Sequence, residues 1–199
     1  IQSWIYRSQD FYEFTTLDFL KLHYKAFSFV VDVGSNIGNH ALYFASQLHV
    51  PRIECFEPNK KTFETLERNV KLNALEEVIN LHNKALGSKV SYGVEKGYSV
   101  FNTGLNSIEE VSSQENTDLI SVLKLDELDY KGVGLLKIDV EGNELSVLTG
   151  AEATIRSSRP IIVVEAFDES IKQIDDLLKN YGYKMFFRPE KDNYIFTPS

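Results

Sequence analysis

The sequence predicts an α/β protein built on a mostly parallel sheet with helices on both faces. Short runs rich in Val and Ile alternate with segments of helical periodicity, and this alternation is typical of right-handed βαβ units. Two apolar runs near the C-terminus, 183–187 and 193–196, flank a polar turn segment. That pair predicts a terminal hairpin, which would add one antiparallel edge strand to the sheet.

Five apolar runs predict the buried strands of the sheet, because each is short and rich in β-branched or aliphatic residues. These runs are 29–33, 52–56, 78–82, 134–140 and 160–166. A further run at 120–125 also predicts a short strand.

The stretch 85–120 has the least regular pattern in the chain. It holds four glycines among many Ser, Asn and Glu residues, so neither a helical nor a strand period is sustained. We expect an irregular excursion there, with short extended pieces at 90–94 and 99–102.

Helical spacing predicts a helix after each of four strands. The four segments are residues 38–48, the residues after Asn59, residues 143–148 and the residues after Asp168. Asn59 and Asp168 are both suited to the N-cap position, since their side-chain oxygens accept free backbone N–H groups at a helix start.

Residues 1–28 form an aromatic N-terminal segment that precedes the main domain, 29–199. Phe14, Leu17 and Leu20 fit one face of a helix in this segment. Two interpretations remain open at this point. The helix packs on the edge of the domain, or it forms a lid over a pocket.

Composition excludes several classes of protein. The 199 residues carry a net charge of −8 and 43% hydrophobic residues, which fits one folded domain and not a disordered chain. The acidic balance argues against a nucleic-acid partner, since such binding depends on Lys and Arg. Cys55 is the only cysteine, and we expect it in the core. With no secretion-signal pattern or spanning apolar run, we expect a cytoplasmic protein.

The first strand ends in a glycine-rich turn that runs directly into a helix. Asp32 precedes Gly34, Ser35, Asn36 and Gly38. The spacing differs from the GxGxxG fingerprint that holds a pyrophosphate, and an acid at this position suits a cationic or amino-bearing ligand better than a phosphate. A tight strand-to-helix turn without a ligand also explains the glycines.

The second strand ends in Glu57 and Pro58. Glu57 follows Gly38 by nineteen residues, close to the spacing at which an acid reaches a ribose in nucleotide-binding folds. A carboxylate there is able to accept hydrogen bonds from both vicinal hydroxyls. The alternative is a charge that stabilises the N-terminus of the following helix.

The later strands carry acids among apolar residues. Alternation places Lys137, Asp139 and Glu141 on one side if the fourth strand persists that far, and the fifth strand ends in Glu165. Such charges are costly inside a sheet unless they are paired or functional. A structural ion pair between Lys137 and Asp139 is the simplest alternative to a functional role.

Several of these stretches together resemble the FkbM-type S-adenosylmethionine-dependent methyltransferases. The matching stretches are VVDVGSNIGNHALYFA, IECFEPNKKTFETLERNVKLN, NKALGS, LLKIDVEGNELSVLTGA and PIIVVEAF. The resemblance covers about residues 29–167. It implies a Rossmann-like class I methyltransferase fold with a mostly parallel seven-stranded sheet in the order 3-2-1-4-5-7-6. It also implies S-adenosylmethionine as cofactor and methyl transfer to a hydroxyl of a sugar, glycan or natural product.

The resemblance also assigns residues to the site. It implies that the first-strand turn holds the amino-acid end of the cofactor, that Glu57 holds the ribose, and that Asp139 lies beside the transferred methyl. Lys84 and Ala85 replace the Asp-Ala pair common in the wider superfamily, so Asn83 or backbone amides would contact the adenine. The implied cofactor-binding residues are Asp32, Gly34, Ser35, Asn36, Gly38, Glu57, Pro58, Asn83, Lys84, Ala85 and Asp139. The candidate catalytic residues, which hold or deprotonate the acceptor, are Asp139, Glu141 and Glu165.

Other functions remain as alternatives. Clustered carboxylates are able to hold a hard divalent cation, but no metal is expected, and among the four histidines only His40 lies near the predicted pocket. A non-catalytic S-adenosylmethionine-binding module has the same sequence features as an enzyme. A nucleotide-dependent oxidoreductase is less favoured, because Asn36 and Asp32 stand where that class needs a third glycine and a phosphate-compatible turn.

Overall fold

The computed structural model describes residues 10–24, 26–96, 107–111, 119–190 and 192–199. Its main sheet has seven strands in the order β10-β11-β9-β8-β1-β2-β3, which confirms the order that the resemblance implies. The strands are β1 (Val30–Val33), β2 (Ile53–Phe56), β3 (Ile79–His82), β8 (Leu135–Ile138), β9 (Ile161–Glu165), β10 (Tyr183–Phe187) and β11 (Asn193–Pro198).

The C-terminal hairpin is confirmed, but the prediction of an antiparallel edge strand is wrong. β11 pairs antiparallel with both β10 and β9, so the single reversed strand lies second from the edge. β10 forms the edge and runs in the same direction as the parallel strands. The hairpin folds back so that β11 inserts beside β9, where Asn193 pairs with Glu165.

Helices cover both faces of this sheet. They are α1 (Phe14–His23), α2 (Asn39–Gln47), α3 (Lys60–Leu72), α4 (Glu144–Thr149), α5 (Glu152–Ser158) and α6 (Ile171–Asn180), with a 3₁₀ turn at Leu125–Leu128. Asn59 caps α3 as predicted, accepting from the Thr62 backbone N–H at 2.9 Å. The predicted cap at Asp168 is wrong: α6 begins after Ser170.

The carboxylate of Asp168 has other partners, which explains that difference. It accepts hydrogen bonds from the Arg188 guanidinium at 3.2 Å and from the Tyr194 hydroxyl at 3.1 Å. Both donors belong to the C-terminal hairpin and its turn. Asp168 therefore ties the hairpin to the segment after β9 instead of capping a helix.

The stretch 85–120 contains a second sheet, so the expected irregular excursion is wrong for its described part. The strands are β4 (Ala85–Leu86), β5 (Ser91–Lys96), β6 (Ser107–Val111) and β7 (Ile120–Leu123), in the order β4-β7-β5-β6. The predicted strand at 120–125 and the extended piece at 90–94 correspond to β7 and β5. The piece at 99–102 lies outside the described residues.

The core has two halves, one on each face of the main sheet. Leu136 and Ile138 of β8 pack into one half, and Leu135 packs into the other. Leu17 and Leu20 of α1 belong to that second half. α1 is therefore part of the packed core on the same face of β8 as Lys137.

No helix within the described ranges is both long and apolar enough to span a lipid bilayer.

Candidate active site at the carboxyl edge of the sheet

The turn between β1 and α2 depends on its glycines. Gly34 has φ +79°, and a Cβ there would overlap the backbone oxygen of Asp139. Gly38 has φ +94°, and its Cβ would lie 2.7 Å from the Leu66 side chain. A side chain at either position would separate the turn from its neighbours. The first-strand turn and the segment after β8 are thus in direct backbone contact.

Glu57 joins this turn to the next one. Its Oε2 accepts from the Asn36 backbone N–H at 2.9 Å, and its Oε1 accepts from the Asn59 backbone N–H at 2.8 Å. The Asn83 amide donates to the backbone oxygens of Glu57 and Pro58 at 2.9 and 3.0 Å. Glu57 therefore connects the turn after β1 with the turn after β2.

Three more of the predicted cofactor-binding residues are Ser35, Lys84 and Ala85. The Ser35 hydroxyl is buried and donates to the backbone oxygen of Asp32 at 2.8 Å. Lys84 is exposed, while Ala85 is buried in β4 and pairs with Val122 of the second sheet. Ala85 is therefore part of the second sheet.

Lys137 is the centre of a buried charge cluster. Its side chain is 3% exposed, and its Nζ lies 3.3 Å from Asp139 Oδ2 and 3.6 Å from Asp32 Oδ1. Burial alone would lower the pKa of Lys137, but Asp139 and Asp32 outweigh it and raise that pKa above its usual range. The ion pair between Lys137 and Asp139 is confirmed, and the lysine stays charged.

The carboxylate of Asp32 is buried and accepts no hydrogen bond from the described residues. It is fully inaccessible to solvent, and neither carboxylate oxygen has a hydrogen-bond partner within the described residues. Within the described ranges, its charge is balanced by the ion pair with Lys137 at 3.6 Å. A buried carboxylate without a hydrogen-bond partner is rare in folded proteins, and a functional role is one explanation for it.

β8 ends at Ile138, so Asp139 and Glu141 lie beyond it and strand alternation does not extend to them. Glu141 has φ +51°. Burial, with help from Asp139 and Glu144, raises the pKa of Glu141 to about 7. The Glu144 carboxylate faces back to the same turn and accepts from the Gly142 N–H at 2.7 Å.

Glu165 ends β9 beside these acids. Burial, together with the charges of Asp139 and Glu13, raises the pKa of Glu165 to about 9. Glu165 is therefore protonated near neutral pH, whereas Glu141 titrates close to it. The two carboxyl groups that sequence analysis treats alike thus have different protonation states.

The residues before α1 also reach this edge, which sequence analysis missed. Glu13 is 7% exposed, and its Oε2 lies 2.9 Å from Nε2 of His40. Burial opposes ionisation of Glu13, but hydrogen bonds from His40 and Asn193 outweigh it and lower the pKa of Glu13. The only sequence signal for this residue is its position directly before the amphipathic helix.

A reciprocal pair of hydrogen bonds anchors this segment. The Tyr12 backbone N–H donates to Asn39 Oδ1 at 2.9 Å, and the Asn39 amide donates back to the Tyr12 backbone oxygen at 3.0 Å. The start of α1 thus covers the start of α2. The interpretation of a helix packed on the domain is confirmed, since Leu17 and Leu20 of α1 belong to the core. The lid interpretation stays a prediction.

A cleft opens between that segment, the first-strand turn and the end of β8. Its lining residues are Tyr12, Glu13, Gly34, Ser35, Asn36, Ile37, Asn39, His40, Lys137 and Asp139. Ligands of α/β proteins bind at this edge, outside the carboxyl ends of the strands. In the part of the chain that the structure describes, no three His, Cys, Asp or Glu side chains are placed to hold a metal ion.

The fold and this site define a class of protein, the Rossmann-like α/β methyltransferases. Within that class, the Methyltransferase FkbM domain model matches residues 32–185. The chain therefore belongs to the FkbM methyltransferase domain family.

Two curated relatives carry methyltransferase names. The chain is 28% identical over 162 residues to "Methyltransferase 1" of Beauveria bassiana, covering 71% of the chain and 65% of the relative. It is 34% identical over 136 residues to the hexuronic acid methyltransferase AglP of Haloferax volcanii, covering 66% of the chain and 53% of the relative. The chain thus spans between about half and two thirds of the length of these relatives.

Solved structures share the fold. The crystal structure of methyltransferase FkbM from Methylobacillus flagellatus matches with a TM-score of 0.64 at 21% identity, covering 96% of this chain and 49% of that one. A putative rRNA methylase from Clostridium thermocellum matches with a TM-score of 0.58 at 13% identity, covering 92% of this chain and 94% of that one. At these identities the likeness concerns the fold alone.

Proposed function

We propose that this protein transfers a methyl group from S-adenosylmethionine to a hydroxyl oxygen of a sugar or a natural product. Family membership supports methyl transfer. The hexuronic acid methyltransferase among the relatives supports a sugar hydroxyl as acceptor. The observation that carries the proposal is the direct contact of three loops at one edge, held by Gly34 against Asp139 and by Glu57 against Asn36.

The residues present fit this cofactor. S-adenosylmethionine carries a cationic sulfur and no phosphate, and the cleft offers acids while its lysine is already paired with Asp32 and Asp139. Glu57 bridges the backbone N–H groups of Asn36 and Asn59, and a carboxylate at this strand end is the type of group that accepts ribose hydroxyls. The unsatisfied oxygens of buried Asp32 add negative charge that a cation would balance.

The chemistry needs placement of the acceptor and removal of one proton. When bound, S-adenosylmethionine supplies an electrophilic methyl group, whose carbon–sulfur bond breaks as the acceptor oxygen bonds to the methyl carbon. The protein's part is to align the acceptor oxygen and to take its hydroxyl proton. Transfer would leave a neutral thioether, so the protein has to take up one proton from the acceptor hydroxyl for each methyl group transferred.

Glu141 is the residue best suited to accept that proton. A general base works best with a pKa near the operating pH, and the pKa of Glu141 is about 7. Glu165, with a pKa of about 9, is protonated at neutral pH and so holds the acceptor by hydrogen bonding. Asp139 orients the acceptor while paired with Lys137 at 3.3 Å.

Calorimetric titration with S-adenosylhomocysteine, the product form of the cofactor, tests the binding half of the proposal. The wild-type chain is expected to bind it, and Glu57→Ala is expected to weaken binding at least about tenfold through the lost ribose contacts. Glu67→Ala, an exposed acid of α3, is the matched control and should bind normally. Absence of binding by the wild-type chain refutes the proposal.

Release of S-adenosylhomocysteine in the presence of hydroxylated acceptors tests the chemical half. Glu141→Gln should retain cofactor binding and lose turnover, because the amide accepts no proton. If Glu141→Gln turns over at the wild-type rate, Glu141 is not the base. If binding persists and no acceptor in a broad sugar panel is methylated, the non-catalytic module is favoured.

A further inference from the structure

The cleft carries more negative than positive charge. In the described part of the site, Asp32 and Asp139 share one lysine, Lys137, and Glu13 lies beside them with a lowered pKa. Three acidic side chains thus share a largely buried site with one lysine and with His40, whose Nε2 lies 2.9 Å from Glu13. Buried charge that is not balanced is expensive, so the arrangement favours a ligand that brings positive charge into the cleft.

Glu13 is the acid that the segment before α1 contributes to the cleft. It lines the cleft together with Gly34 and Asn36, and its side chain is 4% exposed. Its Oε2 lies 2.9 Å from His40 Nε2, and Asn193 and Glu165 also interact with the carboxylate. Each carboxylate oxygen has two lone pairs, so Oε2 is able to accept a donor from the cleft in addition to His40.

The backbone around Glu13 is fixed in this position. Glu13 itself has φ +58°, an unusual conformation for a non-glycine residue. Tyr12 on one side is bonded twice to Asn39, and Leu17 on the other side is buried in the core. Packing on both sides thus holds the residue in a conformation that costs energy, which is typical of ligand sites.

We propose that Glu13 is a cofactor-binding residue that recognises the α-ammonium group of the cofactor. The assignment rests on the proposed function, since the resemblance sets the amino-acid end of S-adenosylmethionine against the Gly34–Gly38 turn that Glu13 faces. Glu13 lies outside residues 32–185, which the family model matches. The segment before α1 is then a functional part of the site and not only a packing element.

A pair of ligands that differ in one group tests this assignment. S-adenosylhomocysteine has the α-ammonium group, and its deamino analogue lacks only that group. The affinities of both are measured by calorimetry for the wild-type chain, Glu13→Gln and Asp18→Asn. Asp18 lies on α1 and is partly exposed, so Asp18→Asn is an acid-to-amide control on the same helix.

The wild-type chain is expected to prefer S-adenosylhomocysteine by about tenfold, the range of one charge-assisted hydrogen bond. Glu13→Gln should reduce that preference to less than about threefold by weakening the ammonium-bearing ligand alone. Asp18→Asn should keep the wild-type preference. A purely structural role for Glu13 would weaken both ligands equally and leave their ratio unchanged.

Other outcomes separate the two proposals. If the wild-type chain binds neither ligand, the proposed function fails. If it binds both equally, or if Glu13→Gln keeps the wild-type ratio, the assignment of Glu13 fails and the proposed function stands. If Glu13→Gln does not fold, Glu13→Asp takes its place, because it keeps the charge on a shorter side chain. Its preference for S-adenosylhomocysteine should be smaller than that of the wild-type chain. A ratio of the two affinities equal to the wild-type ratio would contradict the assignment.

Discussion

Two neighbouring strands each bury a carboxylate, and the two carboxylates have opposite surroundings. Glu54 of β2 is 4% exposed. Its Oε1 accepts from Arg52 at 2.9 and 3.0 Å and from Asn80 at 3.2 Å. Its Oε2 contacts His82 Nε2 at 2.7 Å and accepts from the Tyr130 hydroxyl at 3.1 Å. Glu54 is therefore fully satisfied within the protein.

Asp32 of β1 is buried more deeply and satisfied less. Its carboxylate oxygens have no hydrogen-bond partner among the described residues, and its ion pair there is with Lys137 at 3.6 Å. The difference separates a structural acid from a ligand-site acid. A carboxylate whose hydrogen bonds are all made within the protein holds strands together. A buried carboxylate that lacks them is able to accept hydrogen bonds from a ligand.

Lysine removal is expected to give the largest effect in this comparison. Lys137→Met leaves Asp32 and Asp139 without their cation, which should lower the free energy of unfolding by about 3–5 kcal/mol. The counterpart Arg52→Met should cost only about 1 kcal/mol, because Arg52 is half exposed and His82 remains beside Glu54. Urea denaturation measures both.

Equal losses in these two variants would contradict the proposed difference between the clusters. Asp32→Asn added to Lys137→Met should restore part of the stability, because it removes one of the unpaired charges.

The same acid-to-amide change should act differently in the two regions. Glu54→Gln removes an ionised acceptor of several hydrogen bonds and should cost about 1–3 kcal/mol at pH 7. Glu165→Gln replaces a carboxyl group that is protonated in the folded chain, since burial raises its pKa to about 9. It removes the cost of taking up that proton on folding at pH 7, so it should raise stability or leave it unchanged. Thermal unfolding compares the two, and a large loss in Glu165→Gln would show that its carboxyl is ionised.

Stability should also vary with pH in a way that distinguishes the two acids. Between the ordinary carboxyl pKa of 4.5 and about 9, folded Glu165 holds a proton that the unfolded chain has lost. The contribution of Glu165 is thus complete below that range and decreases as the pH rises through it. Glu165→Gln should flatten this decline in urea midpoints, and an unaltered slope would refute the assignment.

The contribution of Glu54 to stability changes with pH in the opposite direction. Burial raises its pKa, but hydrogen bonds from His82, Arg52 and Tyr130 outweigh burial and lower it. Its contribution is therefore present above the ordinary carboxyl pKa and is lost as the pH falls below it. Glu165→Gln should leave this acid limb intact.

The smallest expected loss of stability comes from removing one hydrogen bond to Glu54. Tyr130→Phe removes the hydroxyl that donates to Glu54 at 3.1 Å and should cost about 1 kcal/mol. The remaining donors keep Glu54 ionised. A loss as large as that of Glu54→Gln would mean that the cluster depends on this single bond, and chemical denaturation of the two variants decides between them.

Local patterns were sufficient to predict most of the fold. The strands and the Asn59 cap follow from short-range periodicity and capping chemistry. The second sheet was missed because its strands are short, rich in Gly, Ser and Glu, and paired across long separations, as Ala85 is with Val122. The cap at Asp168 was wrong because Arg188 and Tyr194, distant in sequence, bind that carboxylate.

The candidate site shows the same limit. Motif residues such as Gly34 and Glu57 are recognisable from the sequence. Gly34 stands in a glycine-rich turn and Glu57 stands at the end of a strand, and these positions indicate their roles. Glu13 carries no motif, and its place at the cleft depends on how α1 packs. The pKa values of Glu141 and Glu165 depend on burial and neighbouring charges, which no spacing rule contains.

Two acids three positions apart on one strand end provide the most direct test of the central claim. Calorimetric titration of S-adenosylhomocysteine compares the wild-type chain, Glu54→Gln and Glu57→Ala. The wild-type chain and Glu54→Gln should bind with the same affinity, because Glu54 is satisfied away from the cleft, while Glu57→Ala should bind at least about tenfold more weakly. Equal binding by all three chains, or no binding by the wild-type chain, would contradict the claim that this edge of the sheet is the cofactor site.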